Sequence, residues 1–217
     1  MNIKEKIYVF LCTSFVAITI TGNLTYQKFV YLPITNLYSF ELSVGAIFYP
    51  LTFLITDLIT EFYGKPSAKF CVKLAITISI LLTLMLAFME RLEATPWSKI
   101  NDETFRYVFG GFSKAFFCSL TANFIAQHID INLYLAIRKV TGAKHLWARN
   151  TISTSISLLL DTSIVIFMLA AFGILPFAQV LSLILNSYVF KLFFTLCAIP
   201  LFYRAFFSIK KRVGVYG

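Results

Sequence analysis

The chain has 217 residues, 59% hydrophobic and only 13% charged, with a formal net charge of +9 and a mean hydropathy of +0.79. A soluble domain carries about a quarter charged residues, so a soluble globular class is excluded and lipid is the solvent for most of the chain. The length accommodates one bundle of membrane-spanning helices, a single domain over residues 1–217.

A spanning helix needs about 20 mostly apolar residues. Lys4 and Lys6 precede an apolar run from Ile7 to Ile20. No small-residue cleavage site leading into a soluble domain follows, so the run is expected to be a retained first span, Ile7–Thr25. The second span is expected over Glu41–Tyr63 and the third over Ala68–Phe88. They are joined at Gly64-Lys65-Pro66, where glycine ends one helix and proline starts the next. A polar loop covers Glu90–Arg106, and the fourth span is expected at Phe105–His128. Asp130–Lys144 is expected to form a short cytoplasmic amphipathic helix, with Ile131, Tyr134, Leu135 and Val140 on its apolar face. The fifth span, Asn150–Phe172, and the sixth, Phe177–Tyr203, flank a turn at Gly173 and Pro176. The expected fold is therefore an all-α integral membrane protein of six transmembrane helices.

The basic residues orient it. With the N-terminus inside, the inner segments hold Lys4, Lys6, Lys65, Lys69, Arg138, Lys139, Lys144, Arg149, Arg204, Lys210, Lys211 and Arg212. The outer segments hold only Lys28, Arg91, Lys99 and Arg106. By the positive-inside rule both termini are cytoplasmic. The net charge is thereby explained as an orientation signal, with the lipid bilayer as its partner and no nucleic acid. Cys12, Cys71, Cys118 and Cys197 form no CxxC pair, and His128 and His145 are not spaced as a metal pair. No metal, no cofactor and no catalytic residue is expected, because no nucleophile stands with a base; the chain does not read as an enzyme. No dimer motif fixes whether it is a monomer or a homo-oligomer.

An ionisable residue in a span is costly and is tolerated where it faces the bundle interior or a wet cavity. In the fifth span Asn150, Thr154, Ser157 and Asp161 fall at i, i+4, i+7 and i+11, a single stripe at 100° per residue. Polar helix packing accounts for Thr154 and Ser157 but poorly for Asp161. In the fourth span Phe116, Ser119, Asn123, Gln127 and Asp130 share a face, and Asp130 is near enough to the inner end to be solvated. The Asn123 and Gln127 amides each offer a donor and an acceptor, as reading a heterocycle edge requires. Lys114, on the opposite face, reads as snorkelling. Lys191 lies mid-span in the sixth helix with Ser187 and Thr195 on its face, at the depth of Asp161. An ion pair between Asp161 and Lys191 is expected, with a purely structural pair as the plainer reading. In the second span Asp57 and Glu61 share a face at i, i+4, beside Tyr49, Pro50 and Phe53. Like charges there repel, so each needs its own partner, such as Lys65 or Arg149, or one is neutral.

The runs YPLTFLITDLITEFYGK, NFIAQHIDINLYLAIRKVTG and LWARNTISTSISLLLDT resemble the signatures of the queuosine precursor transporters, the VUT family. The resemblance extends from about Glu41 to Lys191. It implies a six-span bacterial inner-membrane protein that imports 7-cyano-7-deazaguanine, its aminomethyl derivative or queuine for salvage into tRNA queuosine. The family's polar motif positions correspond here to Asp57, Glu61, Gly64, Gln127, Asp130, Arg149, Asn150, Ser153, Ser157 and Asp161. A guanine-like edge presents N1–H and an amine, which a single carboxylate, Asp57 or Asp161, accepts together. Asn123, Gln127 or Lys191 suits the carbonyl, Tyr49, Phe53 and Phe116 suit stacking on the base, and Asn150 and Ser157 complete the expected lining. Glu61, Gly64, Asp130 and Arg149 are expected to be structural or gating residues. The alternative is a substrate-binding membrane subunit of an energy-coupled vitamin or nucleobase uptake system, which requires ATPase partners.

Overall fold

Among the residues that the computed structural model describes (2–26, 28–35, 38–110, 112–141 and 145–213), helices dominate and one β-hairpin interrupts them. The first helix, α1 (Ile3–Thr25), starts at a reciprocal cap. The Asn2 side chain accepts from the Glu5 amide at 2.8 Å, and the Glu5 carboxylate accepts from the Asn2 amide at 3.1 Å. Two orphan donors are thereby satisfied, and Lys4 and Lys6 lie within the helix rather than ahead of it.

Strands β1 (Phe29–Thr35) and β2 (Tyr38–Ser43) follow, paired antiparallel with Phe29 opposite Ser43 and Leu32 opposite Phe40. This corrects the expected second span: Glu41 belongs to a strand, and the helix begins only at Pro50. The reason is the two-residue period of Ser39, Phe40, Glu41, Leu42 and Ser43, which sends alternate side chains to opposite faces. Leu42 is buried, and the Phe40 ring meets Phe190 edge-on at 5.7 Å.

Helix α2 (Pro50–Met89) is broken at Gly64, whose φ of 81° and ψ of 172° are non-helical. That backbone conformation is open essentially to glycine alone, and Pro66 supplies no amide hydrogen to continue the ladder. The expected turn between two helical segments is therefore present, separating residues 50–63 from 65–89. Residues 50–63 are enclosed by protein on nearly every side: Thr52, Phe53, Thr56, Asp57, Ile59 and Thr60 are all fully buried.

A four-residue helix, α3 (Asp102–Phe105), capped by Asn101, and a π-helical turn (Arg106–Gly110) lead into α4 (Phe112–Thr141). Here a second correction arises. The expected fourth span began at Phe105 and a separate amphipathic helix followed it, whereas α4 starts at Phe112 and runs unbroken to Thr141. No glycine or proline interrupts that stretch. The buried stripe of Asn123 and Gln127 continues through Asp130, Ile131 and Tyr134, all buried, so packing holds the helix straight on. The Lys114 side chain and Lys144 lie outside the described residues.

Helices α5 (Leu146–Ala171) and α6 (Val180–Val213) complete the chain. Arg204, Lys210, Lys211 and Arg212, beyond the expected end at Tyr203, are carried on α6 itself.

The polarity of the bundle is inverted relative to a soluble protein. Asp57, Asn123, Gln127, Asp130, Asn150 and Lys191 are buried, while Phe10, Phe70, Leu84, Phe88, Phe167 and Leu181 are exposed. Outward apolar surface on this scale marks contact with lipid. Four stretches among the described residues are long and apolar enough to cross a membrane: Ile3–Thr25, Val44–Met89, Leu146–Ala171 and Phe177–Val213. The second contains the Gly64 break.

Candidate functional site

Four helices contribute the polar interior. On residues 50–63 of α2, Thr60 donates its hydroxyl to the Thr56 carbonyl at 2.7 Å, which lets that side chain sit buried without a partner on another helix. Tyr49, just before this segment, and Asp57 and Glu61 within it face α4, α5 and α6, and three layers result.

The first layer lies at the hairpin end. Lys191 Nζ donates to Asp161 Oδ2 at 2.9 Å and to Thr162 Oγ1 at 3.0 Å, and stands 4.9 Å from the centre of the Tyr49 ring. Tyr49 donates its hydroxyl to Asp161 Oδ1 at 2.8 Å and accepts from Asn123 Nδ2 at 2.8 Å. Asp161 is 3% exposed and Lys191 5%. The expected ion pair is present, reinforced by an aromatic face and a neutral network.

This layer floors a cavity with about 890 Å3 of empty space, its open mouth included. Tyr49, Asp161, Thr162, Ser187 and Lys191 give its polar side, together with Asn23 and Ser119, whose side chains hydrogen-bond at 2.5 Å. Phe29 and Tyr26 from the hairpin end and Phe116 from α4 line it, with Val165, Ile166 and Leu169 of α5. A few polar groups in an otherwise apolar cleft are the usual composition of a small-molecule site.

The second layer is sealed from the cavity. Gln127 has both ends of its amide engaged, accepting from Thr56 at 2.8 Å and donating to Thr52 at 3.2 Å. Asn150 donates to Asp57 Oδ2. Asp130 faces Asp57, Ser153 and Ser157, is 0% exposed, and has neither oxygen hydrogen-bonded among the described residues. The expectation of a solvated Asp130 is thus corrected: the continuation of α4 carries it into the packed interior.

The third layer lies at the basic end. Arg149, 2% exposed, donates to Glu61 at 2.8 Å and to the Tyr134 hydroxyl at 3.2 Å. Tyr134 in turn donates to Glu61 at 2.9 Å, and Arg138 adds a second cation 3.6 Å from the same carboxylate. Glu61 is therefore partnered by Arg149 and Arg138, and Lys65 forms no ion pair with it. Among the described residues no cluster of three or more His, Cys, Asp or Glu side chains could hold a metal.

Of the residues expected to line a site, Tyr49, Asp161 and Lys191 border the cavity, and Asn123 stands behind Tyr49. Asp57, Gln127, Asn150, Ser157 and Phe53 lie in the sealed interior, where Phe53 packs on Tyr49 edge-on at 5.9 Å. Asn23, Tyr26, Phe29, Ser43 and Thr162 also border it and were not foreseen. The hairpin's alternation was the available signal for Phe29 and Ser43.

A family model described as "Putative vitamin uptake transporter" matches residues 43–205. The chain belongs to this family. A relative from Bacillus subtilis (strain 168), described as "Probable queuosine precursor transporter", is 30% identical over 189 residues, covering 86% of this chain and 79% of the relative. No solved structure matches the chain. Family membership and the apolar exterior together make the chain a multi-pass membrane protein of a transporter family, in agreement with the resemblance read from the three sequence runs. All three runs lie within the matched residues, and so do their polar positions Asp57, Glu61, Gln127, Asp130, Arg149, Asn150 and Asp161.

Proposed function

We propose that the chain imports queuosine precursors (7-cyano-7-deazaguanine, 7-aminomethyl-7-deazaguanine or queuine) across the bacterial inner membrane, for salvage into tRNA queuosine. In this reading the six spans are α1, the two segments of α2, α4, α5 and α6, with both termini cytoplasmic. The hairpin then faces outward and the Glu61–Arg149 layer faces the cytoplasm. The observation that carries the reading is the cavity floored by Tyr49, Asp161 and Lys191, in a chain related to a protein described as a queuosine precursor transporter.

The chemistry of the floor suits the base. An ionised carboxylate offers about four lone-pair sites. Asp161 uses one for Tyr49 and one for Lys191, so it retains acceptor capacity for the N1–H and exocyclic amine of a deazaguanine. Lys191 has a third hydrogen for the base carbonyl. Phe116 and Tyr26 offer faces for stacking. Once the base is seated, alternating access must open the sealed second and third layers to release it inward.

The test is uptake of labelled precursor by proteoliposomes containing only this chain, with unlabelled 7-deazaguanines and guanine as competitors. Saturable uptake competed by the deazaguanines supports the reading. Uptake that appears only with added ATPase subunits would instead make the chain the substrate-binding component of an energy-coupled system. Absence of deazaguanine uptake in both formats rejects the substrate.

A further inference from the structure

The sealed second layer has an unbalanced charge. Glu61 is answered by Arg149 and Arg138, and Asp161 by Lys191. Asp57 and Asp130 are answered by nothing comparable: among the described residues no Lys, Arg or His nitrogen lies within 4.0 Å of either carboxyl. Both are fully buried. The surroundings are rich in acceptors and poor in donors. Asp57 Oδ1, both oxygens of Asp130 and Asn150 Oδ1 are without a hydrogen bond, against one unused donor facing Asp130, the fully buried Ser157 hydroxyl.

The two carboxyls face each other between α2 and α4. Such an arrangement is attractive when one hydrogen lies between them and repulsive when none does. One bound hydrogen ion supplies both the missing positive charge and the missing donor.

We propose that Asp57 and Asp130 hold one transferable proton between them, and that this site couples substrate import to the proton gradient. The proton enters from the outer side and is held as a carboxylic acid hydrogen-bonded to the facing carboxylate. It leaves to the cytoplasm, regenerating two carboxylates. Nothing is oxidised or reduced. The groups facing the pair are Glu61 from α2, Tyr134 from α4, and Asn150, Ser153 and Ser157 from α5, with Arg149 and Arg138 held on Glu61. With the proton present the layer is cohesive and closed. Its loss sets two like charges face to face in a buried layer, which favours parting of α2 from α4 and α5 at the Glu61–Arg149 end, where water can enter.

The inference rests on the import reading for its role but not for the site itself, and two measurements separate them. Infrared difference titration of the purified protein in lipid reads a protonated carboxyl C=O stretch directly, without substrate. A protonated band at neutral pH that disappears in both Asp57→Asn and Asp130→Asn is expected, with Asp130→Glu shifting the band if the asparagine variants do not fold. No such band, or one unaltered by these substitutions, overturns the proposal. In vesicles of wild-type protein carrying a luminal pH dye, uptake is expected to acidify the lumen by one proton per substrate. Uptake without acidification, or uptake driven by a sodium gradient instead, overturns the coupling while leaving import intact. If the vesicles take up no 7-deazaguanine, the substrate reading fails and the infrared band still decides the proton site.

Discussion

The Asp161–Lys191 ion pair is a buried structural contact and also the proposed floor of the substrate site, and the two roles are separable by substitution. Changing Asp161 to Asn leaves the Lys191 ammonium buried without its counter-ion, and breaking a buried pair by removing one partner costs about 3–5 kcal/mol. D161N is therefore expected to melt earlier in detergent and to lose uptake. The double variant D161N/K191M removes the stranded charge, so its melting temperature is expected to recover while uptake stays lost. Uptake at the wild-type level by the double variant would remove the pair from the substrate site. This pair was legible in the sequence because a mid-span lysine needs an anion and helical spacing put Asp161 on a polar stripe at matching depth. The Asn23–Ser119 contact was not legible. Asn23 stands near the end of an apolar run, where an amide reads equally well as interfacial, and only tertiary packing brings the two residues together.

At the scale of elements, two glycines set how the pieces join. Gly64 adopts a φ of 81° and has no neighbour nearer than the Pro66 ring carbon at 3.8 Å to its would-be Cβ. Gly64→Ala is thus a purely torsional perturbation, expected to cost about 1–3 kcal/mol. Gly45 is the opposite case: a Cβ there would lie 2.1 Å from the Gly22 carbonyl oxygen and 3.2 Å from the Tyr26 Cα. Gly45→Ala is expected to force α1 away from the turn after β2, with a larger loss of thermal stability than Gly64→Ala and a widened cavity mouth. Comparative melting curves of the two variants check the order. The Gly64 break was legible because glycine followed closely by proline leaves few backbone choices. The hairpin was not, since Glu41–Ser43 adjoin a long apolar run and read as part of the second span, which leaves the rest of the two strands as a connection between spans. The length of α4 was missed for a related reason: charges at Asp130, Arg138 and Lys139 read as solvent, whereas Asp130 is turned into the bundle.

For the molecule as a whole, the orientation assigned from basic residues has a direct consequence for labelling. Lys6, Thr95 and Lys211 are exposed; native Cys12, Cys71 and Cys118 are buried, and Cys197, which is exposed, is replaced by serine for the measurement. A cysteine placed at Thr95 is expected to react with a membrane-impermeant maleimide in intact cells. Cysteines at Lys6 or Lys211 are expected to react only after permeabilisation. The reverse pattern would invert the bundle and place the cavity mouth in the cytoplasm.

Residues 50–63 form a rod only about 21 Å long at 1.5 Å per residue, against a hydrocarbon layer about 30 Å thick. In the proposed six-span arrangement the remaining depth falls to the end of β2, the 3-10 turn Val44–Ala46 and the chain leading to Pro50, where Val44 donates to the Lys28 carbonyl at 2.8 Å, Ser43 to the Tyr26 carbonyl at 2.6 Å, and Gly45 to the Ser43 hydroxyl at 3.2 Å. Irregular chain at that depth is tolerated where protein encloses it. A thicker bilayer pulls acyl chains up against this collar, and a thinner one frees it. Uptake should therefore peak at one lipid chain length and fall on either side of it, making bilayer thickness a control on the mouth of the cavity.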